Sequence, residues 1–281
     1  MTRLFQAGLF HKAQVCIHLI DYKYLIFNSI YCLFFTLQSK YSHTSNSQMT
    51  HIFYYSFILC KLTSLSYTIK KECITMKKVL PLLILLTAIF YIFILPESPL
   101  AIKLLFKALP MVLMIIYALI NLPKQRFFIH YAVVIGLIFS LIGDVTLHWF
   151  VIGLSAFLLG HIFYMAGFIT KFKPSLVRGM TIVPLVIYSY ILGNGILNSL
   201  TDSSLSFPIT LYIIVISAMA WTAIMTRNLY AAIGAVLFVI SDSILAWNLF
   251  VTTIPLSSIL VMSTYYSAQF LIVFSLRSYD S

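Results

Sequence analysis

The chain has 281 residues, of which 61% are hydrophobic and only 9% charged, with a formal net charge of +11 and a mean hydropathy of +1.00. Soluble domains carry about a quarter charged residues, so this composition excludes a soluble enzyme and a disordered chain. The basic residues stand singly or in pairs between long apolar runs, which argues against a nucleic-acid partner and matches the cytoplasmic charge of a multi-pass membrane protein.

The first 75 residues differ from the rest. They hold all four cysteines (Cys16, Cys32, Cys60, Cys73), one of ten glycines and none of nine prolines. Their longest apolar stretch, Tyr24 to Leu37, contains Asn28 and Ser29 and falls short of the roughly 17–25 residues that a span needs. The cysteines lack metal-ligand spacing such as C-x₂-C, and nothing here looks like a small disulfide-stapled domain. Met76-Lys77-Lys78 then leads into an apolar run, the ordinary opening of a membrane protein. This break predicts that Met76 is the principal start. Residues 1–75 are then an atypical extension, upstream read-through or a poorly ordered segment. A targeting segment is the rival reading, but no basic region leads directly into one short apolar core with a small-residue cleavage site. Residues 76–281 are expected to form one membrane domain.

Eight spans follow in chain order, at about Val79–Leu95, Ile102–Ile120, Phe127–Trp149, Phe150–Ile169, Gly179–Gly193, Pro208–Thr226, Leu229–Phe250 and Leu256–Leu276. Turn chemistry separates most of them: Pro96-Glu97-Ser98-Pro99, Asn121-Leu122-Pro123, Lys173-Pro174-Ser175 and the polar run Asn194 to Ser206. The third and fourth spans meet without such a signal. Alternate ends carry Lys77 and Lys78, then Lys124 and Arg126, then Lys171, Lys173 and Arg178, then Arg227, then Arg277; the opposite ends carry Glu97 and Asp202. The expected fold is an all-α bundle of eight transmembrane helices, with both termini of the core cytoplasmic by the positive-inside rule.

Two of the seven acids lie inside apolar spans, Asp144 in LIGDVTLHW and Asp242 in VISDSILAW. A charge in hydrocarbon costs about 2.5–3.5 kcal/mol on insertion scales, so such residues usually face the bundle interior and serve a function. A buried acid that only pairs with a lysine is the structural alternative. The two contexts match: Ile142-Gly143-Asp144-x-x-Leu147-x-Trp149 against Ile240-Ser241-Asp242-x-x-Leu245-x-Trp247. Their spans run in the same direction, which suggests two parallel four-helix repeats and sets both acids toward the non-cytoplasmic half. Lys107 lies near the outer end of the second span, at a depth where it could meet them. His161 and Tyr164 are three apart on one helix face. Tyr265, Tyr266 and Gln269 cluster in the last span, and Asn248 follows Asp242 by six residues. Taken singly, each tyrosine is more often an anchor or a packing residue. No H-x-x-x-H or comparable pair accompanies the acids, so no metal is expected.

Together these strings resemble the YhhN family, which includes the animal lysoplasmalogenases. The resemblance runs from about Ile102 to Leu276. It rests on Lys107-Ala108-Leu109-Pro110, Gly143-Asp144 with Leu147 and Trp149, and Gly160-His161-Ile162-Phe163-Tyr164. It continues through Phe238-Val239-Ile240-Ser241-Asp242, Asn248 with Phe250, and Ser263-Thr264-Tyr265-Tyr266-Ser267-Ala268-Gln269. The resemblance implies eight spans and hydrolysis of the vinyl ether bond of lysoplasmalogens, giving a fatty aldehyde and a glycerophospho-base. It makes Asp144 and Asp242 the leading catalytic candidates, supported by Lys107, His161, Tyr164, Ser241, Asn248, Tyr265, Tyr266 and Gln269. The expected partners are a lysophospholipid or ether-lipid substrate and membrane lipids, with no cofactor, in a bacterial inner membrane or a eukaryotic endomembrane. Two other classes compete: a proton-coupled transporter of a small solute or lipid, and a non-catalytic lipid-binding membrane protein whose acids only lock the bundle.

Overall fold

The computed structural model describes residues 77–95, 100–123 and 125–279; the segment 1–75 and the predicted start at Met76 lie outside them. Among the described residues, eight helices are long and apolar enough to cross a membrane. We label them α1 (Lys77–Ile94), α2 (Leu100–Ile120), α3 (Phe128–Thr146) and α4 (Phe150–Ile169). The others are α5 (Ile182–Ser199), α6 (Ser206–Met225), α7 (Leu229–Phe250) and α8 (Ser257–Ser275). No strand occurs among the described residues. Helices satisfy every internal backbone group within one segment, which hydrocarbon demands. The outer faces are correspondingly apolar: Leu85, Leu105 and Ile214 are exposed where a soluble protein would carry charge. The chain is a multi-pass membrane protein.

Six helices close a ring. α2 packs on α3, α3 on α4, α4 on α6, α6 on α7, α7 on α8, and α8 returns to α2. Exchanging α2 with α6, α3 with α7 and α4 with α8 maps these contacts onto themselves. The outer helices break the pattern: α1 touches α8 and α2, whereas α5 touches α6 and α7. α5 is also the least embedded of the eight, with only Gly193 and Ile196 buried.

The tightest joints use small residues, the usual means of bringing membrane helices close. Gly153, Gly160 and Gly167 fall seven apart on α4 and meet α3 or the link that follows it. A Cβ on Gly160 would lie 3.1 Å from the carbonyl of Gly136. A Cβ on Gly153 would lie 2.5 Å from the backbone Cα of Leu147. Gly153 therefore permits the three-residue link between α3 and α4, and it is the sequence signal for that turn. Backbone cannot step aside as a side chain can. Gly153→Ala is expected to cost about 1–3 kcal/mol, the usual penalty of overpacking; a thermal unfolding midpoint in detergent equal to the parent's would disprove this.

α4 and α7 begin and end where the sequence places them. α5 does not: the polar run read as a break from Asn194 is helical as far as Ser199. The Trp247 ring of α7 packs against Gly195, where a Cβ would meet it at 2.9 Å. The Ser199 hydroxyl donates to the Gly195 carbonyl at 3.0 Å. Packing against α7 thus carries the helix through polar residues that read locally as a turn.

Candidate active site

Asp144 sits near the C-terminal end of α3 and is 3% exposed. Its Oδ1 lies 3.2 Å from Lys107 Nζ. The same ammonium donates to the backbone carbonyl of Asp144 at 3.2 Å. The Tyr265 hydroxyl donates to Oδ2 at 2.7 Å. Both carboxylate oxygens are therefore held, one by α2 and one by α8. The local fold sets up Lys107. Pro110 lies inside α2 and removes a ladder donor. One turn before it, the Lys107 carbonyl accepts from the Tyr266 hydroxyl at 2.8 Å, which ties this turn to α8.

Asp242 lies midway along α7. Its Oδ2 accepts a short hydrogen bond from the Tyr212 hydroxyl of α6. His161 Nε2 of α4 is 2.9 Å from that hydroxyl oxygen and 3.6 Å from Asp242 Oδ2. The His161 ring is fully buried, with Phe238 edge-on at 4.6 Å between centroids. The exchange that maps the ring onto itself also relates these sites. Each acid is held by the second helix of its own half (Lys107 on α2, Tyr212 on α6) and by the last helix of the other (Tyr265 on α8, His161 on α4).

Both aspartates line one cavity of about 300 Å³. The cavity occupies the end of the bundle where α1, α3, α5 and α7 finish and α2, α4, α6 and α8 begin. One arm is apolar and runs between α5 and α6, past Leu192, Ile196, Ile209, Ile213 and Ile216. Ser189 and Ser217 of the same two helices also line it, with their hydroxyls 2.7 Å apart. The lining also includes Asn248, Ser257 and Ser258, together with Phe150 and Phe250. Those two phenyl rings meet edge to face at 5.3 Å.

The remaining sequence candidates divide. Lys107, Ser241, Asn248 and Tyr265 line the cavity. The Ser241 hydroxyl is engaged with the Val261 carbonyl at 3.0 Å. Asn248 Oδ1 accepts the Ile254 backbone N–H at 2.8 Å and so braces the link to α8. His161, Tyr164, Tyr266 and Gln269 stand behind the cavity wall. Tyr164 donates to Gln269 Oε1 at 2.7 Å, a bond from α4 to α8 across the ring's interior. No group of three or more His, Cys, Asp or Glu suited to a metal ion occurs among the described residues. The sequence reading missed Tyr212. Lys107 precedes its acid by 37 residues and Tyr212 precedes its acid by 30. That unequal spacing, and the change of residue type, hide their equivalence. The repeat around the two acids was the one signal that could have led to it.

The sequence matches the YhhN family over residues 102–276. A mouse (Mus musculus) protein named lysoplasmalogenase TMEM86B is 34% identical over 144 residues, 50% of this chain and 61% of its own length. The human (Homo sapiens) protein of that name is 32% identical over 148 residues, 51% of this chain and 62% of its own length. A Mycobacterium bovis protein named lysoplasmalogenase is 30% identical over 148 residues, 49% of this chain and 57% of its own length. The chain thus spans between 57% and 62% of these curated relatives. No solved structure matches it. The family's match takes in α3 to α8 whole, with both acids and every side chain that holds them, and the chain belongs to the YhhN family.

Proposed function

We propose that this protein is a membrane hydrolase that cleaves the vinyl ether bond of lysoplasmalogens to a fatty aldehyde and a glycerophospho-base. The observation that carries this reading is the pair of aspartates, one buried and one half-buried, on one largely apolar cavity, in a chain whose relatives are named lysoplasmalogenases. Vinyl ether hydrolysis is limited by protonation of a carbon, which generates an oxocarbenium ion. Water adds to the cation, and the hemiacetal collapses to aldehyde and alcohol. Such a reaction needs a positioned acid and a negative group facing the cation. Two carboxyl groups supply both, as in glycosidases, whose transition state has the same oxocarbenium character. It calls for no cofactor.

The alkenyl chain would occupy the apolar arm between α5 and α6, with the glycerol and headgroup near Asn248, Ser257 and Ser258. A volume of about 300 Å³ is at the small end for ligand sites and suits one chain better than two. In this reading the basic helix ends face the cytoplasm, so the termini of the core would lie there and the cavity would open in the opposite half of the membrane. The exchange symmetry of the ring also fits a transporter built from parallel repeats. Purified protein incubated with lysoplasmenyl lipid and with its ester analogue, followed by mass spectrometry, separates the readings. Hydrolysis yields aldehyde from the vinyl ether alone, whereas gradient-driven uptake with no covalent product would favour the transporter. Ile213→Trp, which fills the arm, is expected to raise KM for long-chain substrate about tenfold relative to a short-chain one, the scale of a small misfit in an apolar pocket. Equal effects on both chain lengths would remove the chain from that arm.

A further inference from the structure

The two acids occupy equivalent places but differ in what holds them. Asp144 has the Lys107 ammonium 3.2 Å from Oδ1 and accepts from a hydroxyl on Oδ2. An ionised carboxylate is acceptor-only, and two donors match it; a proton on Asp144 would weaken its pairing with both. Asp242 has no lysine or arginine partner among the described residues. Its Oδ2 meets one hydroxyl, while Oδ1 makes no hydrogen bond among the described residues and the side chain lines the cavity.

That hydroxyl is itself a link. Tyr212 can donate and accept, and His161 Nε2 waits 2.9 Å beyond it. The chain of three groups can be drawn in two ways with the same number of protons. In one, the Asp242 carboxyl donates to Tyr212, which donates to neutral His161. In the other, imidazolium donates to Tyr212, which donates to carboxylate. Passing between them moves one proton from His161 to Asp242 without displacing a heavy atom. A second hydrogen bond usually fixes a histidine tautomer, but Nδ1 of the buried His161 has no hydrogen-bond partner among the described residues. Nδ1 keeps its hydrogen in both arrangements, and only Nε2 gains or loses one.

We propose that Asp242 is the proton donor of the reaction, taking up its acid form by exchange with His161 through the Tyr212 hydroxyl, and that Lys107 and Tyr265 keep Asp144 as the carboxylate that faces the cation. This rests on the hydrolase reading above. The Asp242 proton goes to the outer vinyl carbon, whose π pair forms the new C–H bond, leaving an oxocarbenium ion and two carboxylates. Water adds to the cation and returns its proton to Asp242. In the collapse, the Asp242 carboxyl gives that proton to the departing glycerol oxygen. Its other oxygen takes the hemiacetal hydroxyl proton as the C–O bond breaks. Tyr212 and His161 touch no reacting atom and are positioning residues.

Full-length protein in detergent tests this with Tyr212→Phe and His161→Gln, assayed on lysoplasmenyl-ethanolamine. Each variant is expected to lower kcat roughly 10²-fold or more with KM within about twofold, since neither residue is proposed to touch substrate. The limb where kcat falls with rising pH should shift in both. The other groups facing Asp242 across the cavity are Asp144 with Lys107 and Tyr265, Tyr188 on α5 and Tyr91 on α1, all kept in these variants. A single-chain ether lipid with an amine at the reacting carbon, a stand-in for the cation, should bind Asp144→Asn at least about tenfold more weakly, as loss of a charge-assisted contact implies. It should bind both positioning variants as it binds the parent. Should Tyr212→Phe fail to fold, His161→Gln carries the same comparison. Aldehyde production by the parent, with kcat and pH profile unchanged in the variants, overturns the proposal alone. Equal loss of amine binding in Asp144→Asn and His161→Gln also overturns it. A parent that releases no aldehyde overturns the hydrolase reading, and the proposal with it.

Discussion

Asp144→Asn and Asp242→Asn are each expected to abolish vinyl ether hydrolysis while leaving membrane insertion intact. Asparagine keeps the size and much of the hydrogen bonding, but it neither gives up a proton as an acid nor faces a cation with charge. Removing a general acid costs about 10²–10⁴-fold, and losing charge stabilisation of the oxocarbenium ion costs a comparable factor. Insertion should become slightly easier, because an amide is less costly in hydrocarbon than a carboxylate. Asp242→Asn is the cleaner variant, since the partners it leaves are a hydroxyl and an imidazole. Asp144→Asn strands Lys107, so its yield has to be read with its turnover. Aldehyde release per folded molecule, measured against the parent, decides the matter. Turnover near the parent's in both variants would make the acids structural. One dead and one fully active variant would replace the pair with a single acid.

Much of the fold was legible because hydrocarbon enforces it. Apolar runs of span length, bounded by prolines and by alternating basic ends, gave eight helices, and Phe150–Ile169 and Leu229–Phe250 were right at both ends. The limits of α5 were not legible, because Asn194 and Gly195 read locally as a turn while Trp247 supplies the packing that keeps them helical. The acids stood out because charge is rare and costly in spans. Their common cavity followed from the matching strings around them. The ring order was out of reach, since it depends on which faces meet across four helices. Tyr212 was invisible for a related reason: tyrosine is common in membrane helices, and only contact with Asp242 and His161 marks this one. The same limit holds for Tyr164 and Gln269. The sequence showed them as polar residues in apolar spans, not as donor and acceptor to one another.

Lys107→Met is the substitution expected to damage the fold most. Lys107 is 13% exposed and Asp144 3% in their side chains, so removing the ammonium leaves a carboxylate buried with only the Tyr265 hydroxyl to hold it. Breaking a buried pair in this way costs about 3–5 kcal/mol, whereas removing both charges is often close to neutral. Lys107→Met combined with Asp144→Asn should therefore recover most of the stability lost in Lys107→Met. The amide oxygen can still accept from Tyr265, and methionine fills much of the lysine stem's volume. Catalysis should not recover, because the double variant has no carboxylate to face the cation. Thermal unfolding in detergent and aldehyde release should then move in opposite directions between the single and double variants. A merely structural ion pair would give partial activity back along with the stability. If Lys107→Met unfolds at the parent's temperature, or if the double variant is no more stable than the single, the ammonium does not hold Asp144 in its charged form.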